Sequence, residues 1–348
     1  MIRIGIICPS EIAFRRFLPA LQQSGDFEYV GVAYASPEEW FGESLHTRNQ
    51  EQINNIQVSE SEKAHKFVDT YGGRIYIGYE TLITSDEVDA IYIPLPPALH
   101  FKWAKEALLN DKHVFVEKPS TTNYANTESL VSLAKERSLA LHEDYMFVFH
   151  NQLKAINDIV NSGEIGDVRL YRITFGFPRR EANDFRYNKV LGGGALLDAG
   201  GYTLKYASEL LGMSGKIVTA TMNYVSDFSV DMYGSATMVN TDGVTAQLAF
   251  GMDNDYRCDL EVWGSKGTLT SCRVLTAPAG YTPICTIKKN QEYITRNLPD
   301  DDAFLKSILH FKKCIVDVSD RLDNFEAIKH QALLVDQLRE YNNNYLHD

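Results

Sequence analysis

Two hydrophobic periodicities alternate along the first half of the chain. Arg3-Ile4-Gly5-Ile6-Ile7-Cys8 is a short apolar run of buried-strand length, and Phe14, Phe17, Leu18 and Leu21 then recur at helical spacing. Tyr29 to Ala35 reads as a second strand, ended by Ser36-Pro37. Val88 to Pro94 and His113 to Glu117 read as two more, separated by a helix that carries Leu99, Trp103, Ala107 and Leu108. A helix over about Tyr124 to Arg137 and a strand over Leu139 to Glu143 follow. Strands alternating with helices imply crossover units, and therefore a doubly wound parallel sheet covered on both faces. The expected nucleotide-binding domain spans residues 1–147. Residues 40–61, rich in Asn, Gln and Glu, break this rhythm. Connections beyond about 12 to 15 residues are usually functional or disordered, so the stretch reads as an insertion near the nucleotide edge, an ordered lid or a mobile loop.

The pattern changes in the second half, expected as a second domain over 148–348. A helix runs to about Ser162, and the turn Gly163-Glu164-Ile165-Gly166 follows. Cys258-Asp259-Leu260-Glu261-Val262 then places apolar residues at every second position, and runs near 168–177, 217–225, 232–239 and 244–250 do the same. Such alternation marks sheets with one buried and one wet face, commonly antiparallel. Two amphipathic helices, about 303–318 and 325–341, close the chain.

Composition narrows the function classes. The 348 residues suffice for two cores at roughly 150 per domain. The formal charge of −12 disfavours a nucleic-acid or anionic-membrane surface. No apolar run reaches the roughly 18 residues of a bilayer span, and the opening residues have too short an apolar core for a signal peptide. Cys8, Cys258, Cys272, Cys285 and Cys314 are odd in number and widely spaced, which argues against a disulfide framework or a metal site. A cytoplasmic protein is the expectation.

Candidate chemistry starts at the loop after the first strand. Small residues in a dinucleotide-binding turn let the backbone approach a pyrophosphate at a helix N-terminus. The G-x-G-x-x-G/A positions fall here on Cys8, Ser10 and Ala13, with Glu11 and Ile12 in the first helical turn. Only Ala13 is a common substitute, and a capped helix that binds nothing explains the loop equally well. At the end of the second strand, Tyr34-Ala35-Ser36 stands where an NAD-type domain carries an acid. Its absence removes repulsion against a 2′-phosphate that Ser36 can bind, so NADP is slightly favoured over NAD. Pro37 follows in place of an Arg, which leaves His46 or Arg48 of the insertion to supply charge. Lys118, in His113-Val114-Phe115-Val116-Glu117-Lys118-Pro119, lies at the carboxyl end of a parallel strand, where such sheets bind ligands. It suits proton transfer or hydrogen bonding to a substrate hydroxyl; an ordinary surface lysine at a strand end is the alternative.

With this context, several motifs together resemble the glucose–fructose oxidoreductase, inositol dehydrogenase and rhizopine catabolism (Gfo/Idh/MocA) family. They are Ile93-Pro94-Leu95-Pro96-Pro97-Ala98-Leu99-His100, Glu117-Lys118-Pro119, Gly163-Glu164-Ile165-Gly166, Arg186, Gly192-Gly193-Gly194-Ala195-Leu196-Leu197-Asp198-Ala199-Gly200-Gly201-Tyr202, and Gly264-Ser265-Lys266-Gly267-Thr268-Leu269. Glu143 to His150 is most similar to the sugar and dihydrodiol dehydrogenase branch. The resemblance implies an N-terminal α/β Rossmann domain and a C-terminal α+β domain with an open, mainly antiparallel sheet. It also implies a nicotinamide cofactor, a sugar, polyol or sugar-nucleotide substrate, and a homodimer or homotetramer formed through the C-terminal sheet. The family lysine matches Lys118, and cofactor contacts are expected from Ser10, Glu11, Ile12, Ala13, Ser36, Pro96, His100, Glu117 and Lys118.

Asp198 and Tyr202 are four residues apart, with Lys205 three further on, and so share a helical face. Tyr202 stands where many relatives carry His. A tyrosine, with an ordinary pKa of about 10, needs adjacent positive charge to exchange protons near neutrality, which Lys118 is expected to provide across a shared cleft. Tyr202 or Lys118 is thus the expected acid–base residue of a hydride transfer between nicotinamide and a carbinol carbon. The alternative is that Tyr202 packs with its hydroxyl satisfied and a water or Lys118 handles the proton. Asp198 orients Tyr202, Lys118 or a substrate hydroxyl, and Arg186, Tyr145 and His150 are candidate substrate contacts. Pro97 and Val148 depart from the family's frequent Asn and Arg, and Pro9 removes one phosphate-loop donor. These departures keep a catalytically silent dinucleotide or sugar sensor as the alternative.

Overall fold

The computed structural model describes residues 1–345 and divides into two compact units. The first comprises Met1–Ser120, Asn126–Asp144 and Ile308–Glu326; the second comprises Thr121–Ala125, Tyr145–Ser307 and the chain from Ala327 onward.

The first unit is built on six strands: β1 (Ile2–Ile7), β2 (Phe27–Tyr34), β3 (Arg74–Ile77), β4 (Ala90–Ile93), β5 (His113–Glu117) and β6 (Leu141–Asp144). All pair in parallel, in the order β3-β2-β1-β4-β5-β6. This is the doubly wound sheet expected from the alternating pattern. β4 is buried at every position, as a strand covered on both faces must be. Phe17, from the turn preceding helix α1 (Leu18–Ser24), stacks on Tyr92 of β4 with ring centroids 3.8 Å apart.

Residues 40–61 are largely helical. Ser36 caps α2 (Pro37–Phe41) through a capping box with Glu39, and Asn49 caps the 22-residue α3 (Gln50–Tyr71) through one with Gln52. The long helix hides from a periodicity search because it buries only Glu60, Ala64 and Phe67. Gln57 nevertheless donates to the Ala35 carbonyl at 2.9 Å, and Tyr71 to that of Phe14 at 2.7 Å, which ties α3 to the sheet's first crossover. Strand β3 also escapes sequence reading, being four residues long with no buried position.

Helices α4 (Tyr79–Ile83), α5 (Pro97–Leu109) and α6 (Tyr124–Glu136) complete the crossovers. In the second unit come α7 (Asn151–Asn161), β7 (Val168–Gly176), α8 (Gly201–Leu211), β8 (Lys216–Tyr224), β9 (Asp231–Val239), β10 (Thr245–Gly251), β11 (Arg257–Gly264), β12 (Thr268–Cys272), β13 (Ile284–Lys289) and β14 (Glu292–Asn297). The eight strands order as β14-β13-β12-β11-β7-β10-β9-β8, and only β7 and β10 run parallel. One sheet face, with Tyr171, Ile173 and Phe175 of β7 and Cys258, Leu260 and Val262 of β11, packs into the core with Leu204, Ala207 and Leu211 of α8. β12, β13 and β14 lie beyond the patterns read from sequence; β12 and β13 are short and bury two residues each, and β14 buries none.

The chain closes with α9 (Ala303–Val316) and α10 (Val318–Tyr345), so the last helix starts at 318 rather than near 325. Arg321 explains the tight junction. Its guanidinium donates to the carbonyls of Cys314 at 2.7 Å and Ile315 at 2.6 Å, at the end of α9, and to that of Ser138 at 2.7 Å, just beyond α6. Replacing Arg321 with Ala strips three carbonyls, at buried and part-buried positions, of their donor and should lower stability by about 2–3 kcal/mol in urea unfolding. Lysine should restore only part of that loss, because an ammonium lacks the planar fork that reaches all three.

Candidate functional site

In an open parallel sheet, ligands bind at the carboxyl ends of strands where the strand order reverses. Here that point is between β1 and β4. The loop after β1 is shaped as a dinucleotide turn requires, despite its composition. Cys8 takes the left-handed conformation (φ 80°) that glycine ordinarily supplies, and its N–H donates to the Ala33 carbonyl at 2.8 Å. Ser10 caps the following helix by accepting from Ala13 N–H at 3.3 Å, which leaves Glu11 and Ile12 in a first turn whose N–H groups have no partner further back in the helix. Burial pushes the Cys8 thiol up to about 12, so it is neutral beside an incoming anion. These features fit a pyrophosphate.

Ser36, at the end of β2, accepts from Glu39 N–H through its hydroxyl and donates its own N–H to the Glu39 carboxylate at 2.8 Å. Glu39 also accepts from the N–H groups of Tyr79 and Glu80 at 2.8 and 2.9 Å. The acid is thus turned onto backbone N–H groups at the starts of two helices, and the serine hydroxyl accepts within its own cap. Arg48 stacks on Phe41, 5.6 Å from the ring centroid.

Lys118 follows β5 directly, and its peptide bond to Pro119 is cis. The segment is anchored on both sides. Tyr92 donates to Glu117 at 2.6 Å, and Ser120 N–H donates to the Glu143 carboxylate at 2.7 Å. His100, fully buried on α5, sets Nδ1 2.7 Å from the Pro119 carbonyl oxygen and Nε2 2.6 Å from that of Leu95. The imidazole therefore links the turn after β4 to the turn carrying Lys118. Pro96 is the residue before the first turn of α5, where Pro97 needs no N–H.

In the second unit, the glycine run leads through a π turn, Leu196–Gly200, into α8. Such widened turns recur at functional sites. A β-carbon at Gly193 would collide with the Arg186 carbonyl, one at Gly194 with the Asp231 carboxylate, and one at Gly201 with the Tyr145 hydroxyl. Asp231 accepts from Leu196 N–H at 2.6 Å and caps the turn. Asp198, inside the turn, accepts from Arg186 Nε at 2.6 Å, while Asp184 accepts from the other arm of that guanidinium at 3.1 Å. Arg186, the expected substrate contact, is thus held between two carboxylates and over the Phe185 ring, and its primary visible work is to hold Asp198.

Tyr202 is walled by three rings: Tyr145 at 5.3 Å, Phe147 at 5.6 Å and Phe175 at 5.2 Å between centroids. Tyr145 is buried, and His150 caps α7 by accepting from Gln152 N–H at 3.1 Å. Both lie inside the second unit's framework rather than on its surface. Lys205 pairs with Glu209 at 3.0 Å, one turn along α8. Val148 packs against the core. Glu39 and Asp231 were missed from sequence: the capping-box spacing from Ser36 signals the first, whereas no local pattern signals the second. Among the described residues no cluster of His, Cys, Asp or Glu could hold a metal ion, and no helix is long and apolar enough to cross a membrane.

The buried, neutral His100 makes the first unit acid-sensitive. Burial pushes its pKa down to about 4, below the ordinary 6.5, although the facing carbonyls pull the other way. A depressed histidine pKa means the unfolded chain binds the extra proton first. Stability is full above pH 6.5 and declines as pH falls toward 4. Between pH 7 and pH 5 His100 should cost about 2 kcal/mol in urea unfolding, a loss that His100→Gln should remove.

Comparison with known proteins comes from three directions. A family profile described as "Oxidoreductase family, NAD-binding Rossmann fold" matches residues 2–145, and "GFO/IDH/MocA C-terminal domain" matches 153–270. The chain is 37% identical to dTDP-3,4-didehydro-2,6-dideoxy-alpha-D-glucose 3-reductase of Streptomyces violaceoruber, over 97% of this chain and 95% of that one. With the enzyme of the same name from Actinomadura kijaniata it shares 36%, again over 97% and 95%. Among solved structures, KijD10, a 3-ketoreductase from Actinomadura kijaniata in complex with NADP and TDP-benzene, superposes with a TM-score of 0.87 at 36% identity, covering 97% of each chain.

Proposed function

The chain belongs to the Gfo/Idh/MocA family of NAD(P)-dependent oxidoreductases, and from that premise we propose that it is an NADP-dependent reductase of a ring ketone on a nucleoside-diphosphate deoxysugar. One observation carries the proposal: likeness over 97% of both chains to a 3-ketoreductase solved with NADP and TDP-benzene. The same relative has been solved with a lysine replaced and with a tyrosine replaced, the two residue types assigned to the chemistry here.

Ser10, Glu11, Ile12 and Ala13 would hold the pyrophosphate, Ser36 the 2′-phosphate, and Pro96 and Glu117 the nicotinamide half. His100, expected as a cofactor contact, is instead buried against the Leu95 and Pro119 carbonyls and ties the turns behind that half. A bound dihydronicotinamide supplies hydride to the carbonyl carbon. Lys118 stabilises negative charge on the carbonyl oxygen, the contribution that a preorganised cation makes best. The Tyr202 hydroxyl gives that oxygen its proton; in the oxidative direction it takes the proton back. Arg186 fixes Asp198, which orients a substrate hydroxyl or the tyrosine. Tyr145 and His150 serve by shaping the walls behind Tyr202 and α7.

The exposed face of the eight-stranded sheet supports self-association. It carries Trp263, 51% exposed, on β11 and Arg172 of β7 bridging Gln247 of β10 and Glu261 of β11. A second copy offers the matching set of aromatic and paired charges, as a homodimer or a homotetramer requires.

Loss of NADPH absorbance with dTDP-3,4-didehydro-2,6-dideoxy-glucose tests the activity. Lys118→Ala should lower kcat by at least a hundredfold, and Tyr202→Phe by a comparable factor, with calorimetric NADPH affinity within threefold of wild type. Tight NADPH binding without turnover of any nucleotide sugar would favour a sensor instead.

A further inference from the structure

The walls around Tyr202 have an anchor outside the motifs. Gln331, on α10, is 1% exposed, and its side-chain amide reaches the two places that set the tyrosine's position. Nε2 donates to the Gly201 carbonyl at 2.9 Å, which belongs to the peptide leading into Tyr202. It also donates to the Tyr145 hydroxyl at 3.3 Å, and Tyr145 meets the Tyr202 ring edge-on at 87°. The hydroxyl in turn sits on the α-carbon of Gly201, where no side chain fits. Gln331 Oε1 is buried without a hydrogen-bond partner. An amide that leaves its oxygen unpaired while its nitrogen serves two acceptors is held by those acceptors; turned over, it would face the Gly201 carbonyl oxygen to oxygen.

On the reading that Tyr202 exchanges the substrate proton, we infer that Gln331 and Tyr145 are positioning residues that aim its phenol. Gln331 fixes the backbone entering the tyrosine. Tyr145 fixes the ring plane, together with Phe147 and Phe175. Neither touches the reacting atoms. Proton transfer is steep in donor placement, so slackening the clamp penalises kcat while substrate and cofactor binding persist.

The test is a double-mutant cycle in the full-length protein, assayed with NADPH and dTDP-3,4-didehydro-2,6-dideoxy-glucose. Gln331→Met should lower kcat tenfold or more with both KM values within threefold. Tyr145→Phe, which keeps the ring and removes only the hydroxyl, should move kcat the same way and guards against a folding defect in the first variant. In a Tyr202→Phe background both changes should have no further effect, because nothing remains to be aimed. A kcat within twofold of wild type for both variants, or an equal loss in the two backgrounds, would overturn the inference. Full activity of Tyr202→Phe would overturn the assignment of Tyr202, and this inference with it.

Discussion

Close approach of backbone to side chain at the glycine run governs the second unit. Gly193, Gly194 and Gly201 lie where a β-carbon would strike the Arg186 carbonyl, the Asp231 carboxylate and the Tyr145 hydroxyl. Because no side chain intervenes, the 184–188 segment, the start of β9 and Tyr145 all close on one turn. That turn then starts α8 with Asp198 held by Arg186 and Tyr202 fenced by aromatic rings. Any larger residue at these glycines would push the acid and the phenol apart from their supports.

The first unit solves a different problem, that of placing polar groups at the end of a sheet with no wet face. Its solution is to spend side chains on backbone. Glu39 takes three N–H groups, Glu143 takes the Ser120 N–H, and neutral His100 donates its one ring N–H to one of the two carbonyls it faces. Unpaired, each of these groups would carry a desolvation penalty of about 1–3 kcal/mol. Paired, they tie the loop after β2 to that after β3, and the loop after β5 to that after β4 and to β6. Cys8 shows how far the phosphate turn tolerates change: the left-handed backbone is retained without glycine, at a strain of about 1–2 kcal/mol.

Each unit presents its own set of polar groups. One presents a helix N-terminus, a capping serine and a lysine at a strand end. The other presents a carboxylate and a phenol from one helix start. The carboxylate and the phenol are each rigidified by residues remote in sequence: Asp198 lies 12 positions from Arg186, and Gly201 lies 130 from Gln331.

The amino-acid sequence by itself determined most of the elements and the residue types at the candidate site. Alternating periodicities define the parallel sheet, and β5 with Lys118 at its end is legible residue for residue, since a buried strand must be continuously apolar. The motifs from Ile93 to His100 and from Gly192 to Tyr202 are likewise local, because turns and close approaches demand particular residues in a row. Helix α3 and strands β3 and β14 were decided by tertiary structure, as they bury too little for a pattern to show. So were the partners of the chemical residues. Arg186 becomes the clamp of Asp198, His100 the tie beside Lys118, and Gln331 the brace of Tyr202. Hydrogen bonds across such separations depend on where the folded backbone brings two groups, and no one-dimensional spacing encodes that distance.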